Sequence, residues 1–119
     1  MTPFGKKVRD LREVFDITLK QMAFDLELSP AYLSSLEHGH RGRPSEALTV
    51  QICEYFNLIW DDYEEMHRLA RLSHPKVSVD TSGLTAAHTE LANTLAETVR
   101  DISEQDAIAL LARLRGDLF

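Results

Sequence analysis

The chain has 119 residues, of which 44% are apolar and 27% charged, and its formal net charge is −6. This size and composition are ordinary for one modest folded domain, or for a small domain with an appendage. They exclude a membrane-spanning segment, because no run of about 18 apolar residues occurs, and the N-terminus lacks the apolar core of a signal peptide. The single Cys53 cannot form an internal disulfide, so we expect a protein of the reducing cytoplasm.

The acidic charge is unevenly distributed along the chain. Residues 1–59 hold seven Lys or Arg and eight Asp or Glu, a balance of −1, whereas residues 60–119 hold six and eleven, a balance of −5. The first half therefore keeps enough basic residues for a local phosphate-binding face, which the charge of the whole chain does not measure.

Caps and apolar spacing predict helices at about residues 3–15, 45–57 and 60–72. The last of these should turn an inner face toward the core, formed by Trp60, Tyr63, Met66, Leu69 and Ala70. Cys53 stands among the apolar residues of the helix before it, and we interpret it as a buried core thiol.

The stretch Leu19–Gly39 carries two short amphipathic helices joined by a four-residue turn. Thr18 followed by Gln21 predicts a capping box for the first helix, and Ser29 followed by Pro30 is typical of the start of the second. Apolar residues bury one side of both helices, whereas the second helix exposes short or hydrogen-bonding groups. Such a pair can place its second helix in a DNA major groove.

The ordered set of motifs in this half is specific. Its pieces are Leu11-Arg12, Thr18-x-x-Gln21-Met22-Ala23, Ser29-Pro30-x-Tyr32-Leu33-Ser34-x-Leu36-Glu37-x-Gly39, Pro44-Ser45 and Phe56-Asn57-Leu58. From about residue 4 to residue 58 the chain resembles the Xre/Cro-type, phage-repressor-like helix-turn-helix regulators of bacteria and phage. The resemblance implies an all-α fold in which five helices form a DNA-binding domain, residues 1–73.

The resemblance also implies which residues contact double-stranded DNA: the third helix reads base edges, and the loop after it follows the phosphate backbone. The candidate DNA-binding residues are Lys20, Gln21, Pro30, Ala31, Tyr32, Ser34, Ser35, His38, His40, Arg41 and Arg43. Because Pro, Ala and Ser are permissive readers, DNA shape should contribute to specificity. Leu19 stands where relatives usually carry a phosphate-binding Gln, a contact that Lys20 or Gln21 would have to replace.

Arg12 and Glu37 occupy positions that form an ion pair in relatives, between the first helix and the end of the third. We interpret the pair as a scaffold that ties the DNA-reading unit together. The alternative is two exposed charges whose attraction contributes about 0–1 kcal/mol.

The C-terminal region, residues 74–119, predicts two further helices at about residues 85–102 and 103–114. Their apolar faces exceed what a small five-helix domain must cover, and the family binds pseudo-palindromic sites as dimers. We therefore expect a homodimer interface formed by Leu84, His88, Leu91, Leu95, Val99, Ile102, Ile108 and Leu111. Two alternatives remain open: the tail folds back onto its own domain, or it binds a toxin, as the tail of an antitoxin does.

Catalytic and metal sites are disfavoured by the sequence. No His, Cys or carboxylate cluster has metal-ligand spacing, and no Ser or Cys is placed beside a base. We expect no enzymatic activity, no metal and no cofactor. The sequence thus predicts a dimeric, sequence-specific DNA-binding transcriptional regulator that acts as a repressor.

Overall fold

The structure is a computed structural model that describes residues 1–116, and over this range it is all-helical, as the sequence predicts. The helices are α1 (Pro3–Val14), α2 (Leu19–Asp25), α3 (Pro30–Glu37), α4 (Glu46–Tyr55), α5 (Trp60–Arg71), α6 (Ala86–Thr98) and α7 (Glu104–Leu114). The chain divides into two compact units, Met1–Val77 and a second that begins at Ser78.

The functional division stays a prediction: five helices for DNA binding in residues 1–73 and two for dimerisation in residues 74–119. Residues 117–119 of that predicted region lie outside the described residues. Among the described helices, none is both long and apolar enough to cross a membrane.

A hydroxyl group caps the N-terminus of each described helix except α5. In each case a Ser or Thr oxygen accepts a bond from a backbone N–H three residues further on, and the capping residues are Thr2, Thr18, Ser29, Ser45, Thr85 and Ser103. The chain before α5 offers no such hydroxyl, because its N-cap is Ile59. Helix starts in both units are therefore fixed by local sequence.

The core of the first unit consists of apolar side chains from α1 to α5. Its buried members are Phe4, Val8, Met22, Ala23, Leu33, Leu36, Leu48, Ile52, Cys53, Phe56, Met66 and Ala70. The pairs α1–α3, α1–α5, α2–α3 and α4–α5 pack against one another around it.

The prediction that Trp60 and Tyr63 lie on the inner face of α5 is wrong. Both side chains are exposed, whereas Met66 and Ala70 further along the helix are buried. For Trp60 the reason is its position at the first residue of α5, with a positive φ of 55°. Helical periodicity describes where side chains point only once the backbone has entered regular helical geometry.

The N-terminus of α1 lies directly against the C-terminus of α3. The backbone N–H of Thr2 donates to the carbonyl oxygen of Glu37 at 3.1 Å. A Cβ at position 5 would lie 2.1 Å from that same oxygen, so only Gly5 allows the approach.

The second unit is built differently, because no residue of α6 or α7 is buried. The predicted sixth helix is also too long, since α6 ends at Thr98 rather than near residue 102. The N–H of Asp101 donates to the carbonyl of Thr98 at 2.9 Å, which turns the chain before Ser103 caps α7. Val99 and Ile102, both predicted interface residues, consequently lie in this turn region and not on a continuous helical face.

Candidate nucleic-acid interface

Helices α2 and α3 form the helix-turn-helix of the first unit, Met1–Val77. The N–H of Leu28 donates to the carbonyl of Ala23 at 2.8 Å, which closes the turn between the helices. Ala23 and Leu33 are fully buried, so a small and a branched side chain lie where the helices meet. The opposite side of α3 is left toward solvent.

The predicted base-reading residues on the outward side of α3 differ in their exposure to solvent. Pro30 and Ala31 are exposed on its first turn, whereas Tyr32, Ser34 and Ser35 are half-buried. This surface offers methyl and methylene groups at its start and hydroxyl groups one turn later. It can therefore make apolar contacts and hydrogen bonds, but not bidentate contacts to a base.

At the start of α2, the ammonium group of Lys20 makes no ion pair within residues 1–116, whereas the side-chain amide of Gln21 is hydrogen-bonded. Lys20 is exposed and has no ion-pair partner among residues 1–116. By contrast, Nε2 of Gln21 donates to Oδ1 of Asp25 at 2.7 Å. Of the two residues that could replace the phosphate contact missing at Leu19, Lys20 is therefore the better placed.

Asp25 also accepts a bond from α4. The hydroxyl of Tyr55 donates to Oδ2 of Asp25 at 2.6 Å. Burial of the phenol, followed by this bond and the charge of Asp25, raises the pKa of Tyr55 to about 12. The Asp25 carboxylate thus links the α2–α3 pair to α4, and the sequence gives no signal of this link because the two residues are 30 positions apart.

The loop after α3 is held against that helix by an arginine. The guanidinium carbon of Arg41 lies 5.5 Å from the centre of the Tyr32 ring, within cation–π distance. Arg41 itself remains exposed. The contact places an exposed positive charge beside the outward face of α3, and sequence spacing alone does not predict it.

The two predicted histidines border the same loop. Nδ1 of His38 lies 2.8 Å from the carbonyl oxygen of Ser34, one turn back along α3. The rings of His38 and His40 are 6.1 Å apart, and both side chains are exposed. Between them, Gly39 has a φ of +82°, which permits the reversal that ends α3.

Arg43 lines a cleft of about 380 Å³ that also involves the start of α4 and the end of α5. Its walls include the second arginine Arg71, together with Ser45, Glu46 and His67. Arg71 extends the basic residues near the loop, although it lies 28 positions further along the chain than Arg43. Because only tertiary packing brings the two together, no local motif identifies Arg71.

Arg12 and Glu37 form a two-pronged ion pair beneath α3. Nη2 of Arg12 lies 3.0 Å from Oε1 and 2.9 Å from Oε2 of Glu37. The Glu37 side chain is 1% exposed and that of Arg12 is 12% exposed. The pair is therefore not a surface pair, and it joins the side chain of the last residue of α3 to α1.

The described residues contain no group of three or more His, Cys, Asp or Glu side chains that could hold a metal ion. Cys53 is buried, and this burial raises the pKa of its thiol. A thiol in that environment is a core group rather than a nucleophile. The described chemistry of the site is thus hydrogen bonding, apolar contact and positive charge.

Comparison with known proteins gives one relevant match. The chain is 40% identical over 62 residues to a protein named as an uncharacterized HTH-type transcriptional regulator, RghRB, of Bacillus subtilis strain 168. The similarity supports a helix-turn-helix regulator. The matched segment covers 52% of this chain and 45% of that protein, so the chain spans about half the length of the curated relative. No protein-family model matches the chain, and no solved structure is significantly similar to it.

The helix-turn-helix part of the sequence prediction is in agreement with this similarity. The Xre/Cro subtype, the individual DNA contacts and the dimer interface remain predictions. Of the eight predicted interface residues, six are exposed large hydrophobic side chains: Leu84, Leu91, Leu95, Val99, Ile108 and Leu111. The other two are His88, whose Nδ1 lies 2.7 Å from Oγ1 of Thr85, and Ile102, which is half-buried.

Proposed function

We propose that this protein is a sequence-specific, double-stranded-DNA-binding transcriptional regulator of the Xre/Cro type, which acts as a homodimeric repressor. The observation that carries the proposal is the outward face of α3, with Arg41 held beside it on the ring of Tyr32. In the proposed complex α3 enters the major groove, while Arg41, Arg43 and Lys20 contact phosphates on either side.

Charge supports this use of the surface. Lys20, Arg41 and Arg43 are all exposed, and no ion pair engages them within the described part of the chain. Exposed guanidinium groups make charge-assisted bonds to phosphate and release counterions from DNA. The net charge of −6 does not oppose this, because phosphate responds to the local field of the binding face.

Homodimer formation follows from the weak reading capacity of one α3. Pro, Ala and Ser discriminate poorly between bases, so useful specificity needs two half-sites. A two-fold dimer places two reading helices about one turn of DNA apart, on a pseudo-palindromic site. The exposed apolar side chains of α6 and α7 are the surface that we propose for this interface, and occlusion of a promoter is the proposed mode of repression.

The experiment that tests DNA binding is selection of bound sequences from random DNA with the full chain. We expect an enriched pseudo-palindromic site with half-sites about one helical turn apart. Failure to enrich any sequence, together with no salt-dependent binding, would contradict the proposal.

The phosphate contacts are tested by Arg41→Ala/Arg43→Ala. Each neutralised phosphate contributes about 0.9 to the slope of log affinity against log salt, and the variant removes two arginines from each subunit of the proposed dimer, so the slope should fall in magnitude by about 3.6. The matched control removes two exposed charges elsewhere, Lys76→Ala/Arg100→Ala, and should leave the slope unchanged. Equal slopes for wild type and the loop variant would remove the loop from the interface.

Base reading and dimerisation are tested separately. Ser35→Ala should change the preference at one or two base pairs in the selection, without changing the salt slope. Leu91→Glu/Leu95→Glu should give monomers in sedimentation analysis, whereas Ala96→Glu, a charge on another exposed position of α6, should leave dimers.

The main alternative function is an antitoxin, in which the tail binds a toxin and DNA binding serves autoregulation. The absence of buried residues from α6 and α7 is compatible with either partner. A wild-type chain that is monomeric at all concentrations, with DNA affinity unaffected by Leu91→Glu/Leu95→Glu, would favour the antitoxin.

A further inference from the structure

A second exposed surface lies at one end of the α1–α5 pair. At the other end of this pair, the N–H of Phe4 donates to Oγ of Ser73 at 2.9 Å, so the start of α1 meets the chain just after α5. The two packed helices are therefore antiparallel and of equal length, 12 residues each. The end of α1 consequently lies near the start of α5, where Trp60 stands.

Aromatic and aliphatic side chains gather at this end. The ring of Phe15 stacks on that of Phe56 with 5.7 Å between centroids, and the chain reaches Ile59 and Trp60 only three and four residues after Phe56. Tyr63 follows one turn along α5. We name Phe15, Ile59, Trp60 and Tyr63 the aromatic patch.

The side chains of the aromatic patch are large and apolar, yet they are exposed to solvent. Its side chains are 52%, 64%, 81% and 36% exposed, in chain order. Single exposed apolar residues are normal, whereas a contiguous group of large ones marks an interaction surface. Trp and Tyr are also the residues that contribute most to binding at protein interfaces.

The backbone at Trp60 gives a second, independent observation. Its φ of 55° is in the left-handed region, which a bulky residue rarely adopts. Asp16, Glu27 and Asn57 share a positive φ, but each follows the C-terminus of a helix, where that geometry is common. Trp60 instead begins a helix, and strain of this kind concentrates at functional sites.

Carboxylates stand beside the residues of the aromatic patch in the sequence. All are exposed and have no ion-pair partner within the described residues: Glu13, Asp16, Asp61, Asp62 and Glu64. Segments 13–17 and 57–65 contain no Lys or Arg. Two arginines of the same helices do not neutralise these carboxylates, because Arg12 pairs with Glu37 and Arg68 with Glu65.

We propose that the aromatic patch is a docking site for a protein partner that presents a basic, apolar-faced helix. The partner's apolar face would cover Phe15, Trp60 and Tyr63, and its Lys or Arg residues would meet the adjacent carboxylates. A second copy of the chain fits poorly, since a two-fold contact would set the same carboxylates against one another. DNA and anionic lipid surfaces are repelled by the same charge.

Trp60 is the only tryptophan of the chain, so its fluorescence reports on this site alone. The test titrates the full chain with an amphipathic Leu/Lys helical peptide, and with a Leu/Glu peptide of the same pattern as control. We expect a blue shift and saturable binding with the Leu/Lys peptide only. Binding should weaken at least tenfold in Asp61→Asn/Asp62→Asn, which removes charge with little change of shape.

The matched control Glu90→Gln/Glu97→Gln removes two carboxylates from α6 and should change peptide affinity less than twofold. Equal weakening by both pairs, or binding without a Trp60 shift, would overturn the proposal. So would a self-association that Trp60→Ala abolishes in sedimentation analysis, because it would make a second copy the occupant. Trp60→Ala should leave DNA affinity unchanged, so this test is separate from that of DNA binding.

Discussion

The two units of the chain use the same helix-starting signals but differ in what becomes of their apolar residues. In Met1–Val77, helices α1 to α5 enclose twelve buried apolar side chains. In the unit that begins at Ser78, α6 and α7 have hydroxyl caps of the same kind but bury nothing. Local sequence is therefore sufficient to define a helix, whereas a core needs helices that pack against one another.

The homodimer that we propose would give the tail the apolar burial that α6 and α7 lack. Isolated helices shorter than about 12–15 residues are marginal in water, and α6 and α7 have 13 and 11 residues. Packing of their apolar faces against another chain would supply what local propensity does not.

The largest expected effect comes from truncating the same residue type in each unit. Leu33→Ala removes a fully buried side chain and should lower the free energy of unfolding by about 3–4 kcal/mol, because it leaves a cavity. Leu95→Ala acts at a side chain that is 42% exposed and should cost below about 1 kcal/mol at concentrations where the chain is monomeric. Urea denaturation followed by circular dichroism measures both free energies. Equal losses would contradict the difference in burial between the two leucines.

The next effect concerns the buried charge of the first unit. Arg12→Ala leaves the Glu37 carboxylate buried without its partner and should destabilise the protein by about 3 kcal/mol. The double variant Arg12→Met/Glu37→Leu should recover most of this loss, since both charges are removed. A loss below about 1 kcal/mol in Arg12→Ala would show that the pair behaves as a surface ion pair.

Removing one helix cap from each unit compares the two units directly. Ser29→Ala removes the acceptor for the N–H of Tyr32 and should lower the unfolding free energy of the first unit by about 1 kcal/mol. Thr85→Ala removes the equivalent acceptor at α6 and should reduce helical ellipticity without changing the urea midpoint of the first unit. A shift of that midpoint by Thr85→Ala would contradict the independence of the two units.

The smallest effect is pH-dependent. Because the pKa of Tyr55 is raised to about 12 in the folded protein from an ordinary value near 10, the folded state holds this proton more tightly. The contribution of protonated Tyr55 to the free energy of unfolding is therefore fully present below about pH 10 and is lost as the pH rises to about 12. Tyr55→Phe should lower the free energy of unfolding by about 0.5–1 kcal/mol at neutral pH. The variant should also lose less stability than the wild type between pH 10 and 12, which denaturation at pH 8 to 12 measures.

Some of the candidate site could be predicted from sequence because its signals are short-range. The caps at Thr18 and Ser29 act on N–H groups three residues away, and the bond that closes the turn, from Leu28 to Ala23, spans five residues. The positions of Arg12 and Glu37 came instead from the resemblance to a known family. The contacts of Arg41 with Tyr32, and the approach of Arg71 to the cleft of Arg43, have no comparable signal.

Backbone capping and apolar periodicity are local properties, so the sequence was sufficient to predict that residues 1–116 are mainly helical, where the helices begin and which stretch forms the helix-turn-helix. Only the tertiary structure decided that position 5 must be glycine against the carbonyl of Glu37, and that Trp60 and Tyr63 face solvent. It also decided that α6 and α7 lack a core of their own. Burial depends on what lies opposite a side chain, and that neighbour is set by packing between residues far apart in the chain.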